Sequence, residues 1–91
     1  MGLPNTYEVE FTPSASRDFH SLDQASQTRI GKRLDALAEN PFPQGARKLQ
    51  AVPTMYRIRV GVFRVIYKVE NDRLVVLVIR IRHRREAYRN I

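Results

Sequence analysis

Ninety-one residues, with sixteen lysines and arginines against nine acidic side chains, carry a net charge of +7 and no cysteine. That length supports one modest core in a single domain, residues 1–91, and the composition excludes disulfides and thiolate metal sites. The longest apolar run, residues 74–79, is too short to cross a bilayer, and the N-terminus lacks the apolar stretch of a signal peptide, so a cytoplasmic protein with no membrane partner is expected.

The positive charge is unevenly placed. Residues 1–41 carry four basic and six acidic side chains, whereas residues 42–91 carry twelve and three. A basic lobe of this size on a small domain is the footprint of a polyanion binder, because each cation that neutralises a phosphate releases condensed counterions.

Along the chain, Tyr7-Glu8-Val9-Glu10-Phe11 alternates apolar and acidic residues, which predicts a strand with one buried face. Thr12-Pro13-Ser14 stops it and starts a helix that buries Ala15, Phe19 and Leu22 and leaves Arg17, Asp18 and His20 to solvent. Asp23 caps a second helix with Ile30, Leu34, Leu37 and Ala38 on one stripe. Gly31 weakens that helix by roughly 1 kcal/mol relative to alanine. Asn40-Pro41-Phe42-Pro43 ends it, since a residue before proline avoids the helical region.

The remainder is β-like. Arg47 to Gln50 can form a short strand, with a turn at Pro53-Thr54. Tyr56, Ile58 and Val60 alternate with Arg57 and Arg59; after Gly61, Phe63, Val65, Tyr67 and Val69 alternate with Arg64, Ile66 and Lys68. Asn71-Asp72 then turns the chain into a last strand over residues 74–81. The expected fold is α+β, in the order β-α-α-β-β-β-β. An N-terminal helical hairpin packs on a small antiparallel-rich sheet, followed by a short helical or extended C-terminal arm.

Period two has a chemical consequence. If Tyr56, Ile58 and Val60 face the helices, Arg57 and Arg59 face the other side, and Arg64 can join them from the next strand. A single strand arginine usually solvates an exposed face or guards an edge. As a set with few acidic partners, these arginines favour binding a polyanion.

Taken in order, Lys48-Leu49, Tyr56-Arg57-Ile58-Arg59-Val60-Gly61, Phe63-Arg64-Val65-Ile66-Tyr67 and His83-Arg84-Arg85-Glu86-Ala87-Tyr88, with the opening Val9-Glu10-Phe11-Thr12-Pro13-Ser14-Ala15, resemble the RelE family of bacterial and archaeal toxins. The resemblance runs from Tyr7 to Arg89. It implies a ribosome-dependent endoribonuclease that cuts messenger RNA in the decoding site by 2′-hydroxyl transesterification, with no metal or other cofactor. It also implies a cognate antitoxin, acidic and RelB-like, through which the toxin–antitoxin pair would bind operator DNA.

Carried over by position, the resemblance implies Arg64 and Arg84 as phosphate and transition-state ligands and Tyr88 as the aromatic that orients or stacks on the scissile nucleotide. Lys48, Arg57, Arg59, His83 and Arg85 would contact the RNA and its phosphates, and Arg82, which has no counterpart in the family pattern, adds a further phosphate-binding charge to the same segment. His83 is a candidate for proton transfer or RNA contact, and equally for packing at the end of the last strand. The sequence departs from the family pattern at Ala51 and Arg82, where glycine is usual, and at Val62-Phe63, where an acidic residue and a tyrosine are usual. Two other functions fit the same resemblance: a ParE-like poison of DNA gyrase, and a catalytically weak corepressor that serves mainly to bind antitoxin.

Overall fold

The structure, a computed structural model, describes residues 6–49 and 54–84. The elements follow in the order β1 (Glu8–Phe11), α1 (Pro13–His20), α2 (Gln24–Glu39), β2 (Arg47–Lys48), β3 (Met55–Val60), β4 (Phe63–Glu70) and β5 (Val75–His83). This is the predicted α+β order. The predicted C-terminal arm lies outside the described residues.

Both helix starts are built from the residues that the sequence marked. Thr12, in extended conformation, accepts from the Ala15 amide through its hydroxyl oxygen at 3.1 Å, and Pro13 occupies the first turn, where its missing N–H is no loss. Asp23 caps α2 by accepting from the Ser26 amide, and the Ser26 side chain, together with that amide bond, holds its carboxyl below the usual carboxylate range. The Gln27 side chain donates to the Phe19 carbonyl at 2.9 Å and ties the two helices together.

The five strands form one sheet in the order β1-β5-β4-β3-β2, with β1 parallel to β5 and every other pair antiparallel. Ala15, Ile30, Leu34 and Leu37 from the helices pack on Ile58, Val60, Val65, Tyr67, Val69, Val76, Val78 and Ile81 from one face of the sheet. Tyr67 is fully buried, and its hydroxyl donates to the Pro41 carbonyl at 2.8 Å. Burial pushes that hydroxyl up to about 12.

Three details differ from expectation. Strand β5 begins at Val75 and runs to His83, because Leu74 adopts φ 54° and belongs to the turn rather than the ladder. Asp18 does not point to solvent. It accepts from Arg80 Nε and from the Ile81 amide, both at 2.9 Å. The physical reason is that β1 ends beside Val78, so the outer edge of β5 beyond that point has no strand partner, and a carboxylate from α1 takes its place. The third concerns strand phase. In the β4–β5 ladder Ile66 pairs with Arg80 but Tyr67 pairs with Val78, so Ile79 is an extra residue in β5. Its carbonyl accepts the Thr12 hydroxyl at 2.9 Å.

Candidate functional site

The bulge at Ile79 shapes the basic surface. Val76 and Val78 are buried on the helix side, and strict alternation from them would aim Arg80 and Arg82 inward and Ile81 outward. One extra residue resets the phase, so Ile81 is buried and Arg82 shares the open face of the sheet.

Three arginines therefore stand in one row across three strands: Arg59 is opposite Arg64, and Arg64 is opposite Arg82. Directly opposed residues hold their Cβ atoms about 4.5–5.5 Å apart, close enough for neighbouring guanidinium groups to grip one phosphodiester. A second row joins Arg47 to Arg57 across β2 and β3. Arg47, Arg57, Arg59 and Arg64, with Gly45 and Ile58, line a cavity of about 420 Å³. Arg64, in the centre, is 8% exposed, while Arg59 is exposed.

The described lining of this cradle contains no carboxylate and no imidazole. Lys68 and Glu70, further along β4, pair with each other at 3.7 Å, and Arg73 pairs with Glu10 and Glu70 at the opposite end of the sheet. These acidic groups thus lie away from the arginine rows. Among the described residues, no three histidines or carboxylates come together as a metal-ligand set.

The other predicted site residues are placed as follows. Lys48 pairs with Tyr56 and not with an arginine, so by register it belongs to the opposite side of the short β2 from Arg47. His83 packs edge-on against Phe63 with ring centroids 5.6 Å apart, in the row that carries Val60. That row lies on the helix side of the sheet, away from Arg59, Arg64 and Arg82. Arg84 follows directly, is exposed, and its amide donates to the Val62 carbonyl at the β3–β4 turn at 2.6 Å. This bond anchors the end of β5 beside the first row. Arg85 and Tyr88 lie outside the described residues.

Sequence reasoning passed over Arg47. Its signal was faint, because a two-residue strand offers too little alternation to assign a face. Asp18 had no signal at all, since the partner it needs is more than sixty residues away.

Two helices on one face of a five-stranded sheet, and a cluster of arginines on the other, define a small basic α+β domain. The model of the ParE toxin of type II toxin–antitoxin systems matches residues 9–88, and the chain belongs to this RelE/ParE superfamily of toxins. It is 31% identical over 86 residues to a putative RelE-like toxin protein of Escherichia coli, covering 90% of each chain, and 29% identical, with the same coverage, to the mRNA interferase toxin RelE of Escherichia coli K12. Its fold superposes on the archaeal RelE–RelB complex from Pyrococcus horikoshii with a TM-score of 0.77 and 28% identity, covering 87% of this chain and 96% of that one.

Proposed function

We propose that this toxin is a ribosome-dependent endoribonuclease that cleaves messenger RNA in the ribosomal A site without a metal ion. The observation that carries the proposal is the row Arg59–Arg64–Arg82, in register across β3, β4 and β5 and flanked by Arg84. The name mRNA interferase on a relative of 29% identity supports the same substrate class.

In the reaction, a ribose 2′-oxygen bonds to the adjacent phosphorus as the P–O5′ bond breaks. The 2′-hydroxyl gives up its proton and O5′ gains one, leaving a 2′,3′-cyclic phosphate and a free 5′-hydroxyl. Negative charge builds on the non-bridging oxygens, and Arg64 is the donor best held to meet it, with Arg59 and Arg82 on either side. Arginine stays charged at any biological pH and donates two parallel hydrogen bonds to a phosphate. It therefore stabilises charge rather than abstracting protons. Arg84 takes a phosphate oxygen from the β5 end, and Tyr88 orients the scissile nucleotide by stacking. Holding the message in the decoding site would supply the in-line geometry that a free strand seldom adopts.

A cognate acidic antitoxin is the partner proposed to cover the cradle, as relatives solved in complex with RelB support. Operator binding would then run through the antitoxin. The test is toe-printing on translating ribosomes with purified toxin. Cleavage in the A site by the native chain, lost in Arg64→Gln with Arg84→Gln, is the expected result. Intact messenger together with double-strand breaks in DNA would overturn it.

A further inference from the structure

A second basic groove lies on the other side of the sheet. Helix α2 and the β3–β4 turn enclose a cavity of about 460 Å³ lined by Ala25, Thr28, Arg29, Lys32, Arg33, Val60 and Gly61. Three of the four cations in the otherwise acidic first half of the chain meet here. Arg29 and Lys32 make no ion pair among the described residues. Arg33 donates to the Arg59 carbonyl at 3.4 Å, which fixes the helix to β3.

Gly61 completes the groove. It holds φ +61°, and a Cβ there would come 2.9 Å from Arg29 Nη1. The absence of a side chain lets the Arg29 guanidinium lie against the turn. We infer that this groove binds the phosphate backbone of double-helical RNA, as a docking site separate from the scissile strand in the cradle.

The proposal rests on the reading that the cradle takes a single RNA strand. Arg59 directs its side chain to the open face while its neighbour Val60 lines the groove, so the two sites lie on opposite faces of β3. A strand seated in the cradle does not fill the groove without rounding the β3–β4 turn. Residues three and four apart on a helix sit about 5–6 Å from one another, so Arg29, Lys32 and Arg33 form a tight cationic step that suits successive phosphates. The lining holds three cations and no carboxylate, which favours the dense charge of a phosphate chain over an acidic protein segment. Contacts of this kind position a nucleic acid without reading its sequence.

Fluorescence anisotropy of the full chain with two probes, an unstructured single-stranded RNA and an RNA hairpin, tests this across a salt series. Arg29→Gln with Lys32→Gln is expected to weaken hairpin binding about tenfold or more and to reduce its salt slope by about two, the number of cations removed. Affinity for the single strand should stay within about twofold of native, as befits phosphate contacts made elsewhere. Arg57→Gln with Arg59→Gln should do the reverse. Unchanged hairpin binding in the α2 variant overturns the groove even if the cradle variant behaves as expected. Loss of hairpin binding in the α2 variant with no effect from the cradle variant upholds the groove and instead counts against the cradle. Native hairpin binding combined with lost capture of the cognate antitoxin would assign the groove to an acidic protein and overturn the proposal. The circular dichroism melt of the α2 variant should overlay the native curve, since its substituted residues are exposed, and the cradle variant should melt no lower than native.

Discussion

Arg82 stands directly opposite Arg64 on the open face, and it reaches that face because Ile79 is bulged out of the β4–β5 ladder. Deleting Ile79 removes the extra residue, so Arg80 follows Val78 directly and plain alternation still leaves Ile81 inward and Arg82 on the open face. The Thr12 hydroxyl then loses its acceptor, the Ile79 carbonyl, and the deletion is expected to cost about 1–3 kcal/mol while the arginine row survives. Ile79→Ala keeps the residue count and should fold, losing no more than about 2 kcal/mol. Chemical denaturation of the two variants checks the contrast.

The opposition of Arg59 and Arg64 places like charges on adjacent strands. Arg59→Gln should therefore stabilise the fold by roughly 0.2–1 kcal/mol. The same change should lower messenger cleavage on ribosomes by at least about tenfold, as expected for loss of a transition-state phosphate ligand. A melt and a toe-print on one preparation test this opposition between stability and activity.

Asp18 bridges Arg80 and the Ile81 amide where β1 has run out. Asp18→Ala leaves a part-buried N–H without its acceptor and should cost about 1–3 kcal/mol. Asp18→Asn keeps an acceptor and should lose less. Hydrogen exchange at the Ile81 amide provides a local readout, speeding more in the alanine variant than in the asparagine one.

Tyr67 donates its hydroxyl to the Pro41 carbonyl inside the core, and its folded value is raised to about 12. An unfolded tyrosine titrates near 10, so the neutral hydroxyl contributes stability that is fully present below about pH 10. That contribution falls at about 1.4 kcal/mol per pH unit and is lost as pH rises through the folded value. Tyr67→Phe should remove this alkaline limb and cost about 1–2 kcal/mol at neutral pH, where the Pro41 carbonyl loses its donor. Stability curves between neutral and strongly alkaline pH decide it.

Gly61 occupies the left-handed region, with Arg29 Nη1 where a Cβ would sit. Gly61→Ala is expected to cost roughly 1–2 kcal/mol from the backbone conformation. The displaced Arg29 should also weaken the α2 groove. Gly31→Ala, whose new Cβ meets open space within α2, should instead stabilise by up to about 1 kcal/mol.

The helices and the buried faces of β3 and β4 could be read from the chain alone. Thr12 and Asp23 are capping residues wherever they precede a helical stripe, and period two in 55–69 separates core residues from arginines without knowledge of any partner strand. The last strand was less legible. Its apolar run continues through Ile79 without alternation, so no local pattern revealed where the phase changes.

Local periodicity and capping were enough to dictate the elements, their order and the face to which Arg57, Arg59 and Arg64 belong, because these depend on neighbours a few residues away. The alignment of Arg59, Arg64 and Arg82 in one row, the entry of Arg47, the diversion of His83 onto Phe63 and the clasp of Asp18 on β5 came from strand register and helix docking. Register is set by the packing of whole faces and by one bulged residue, and a carboxylate finds an orphan amide only when the folded chain brings distant segments together.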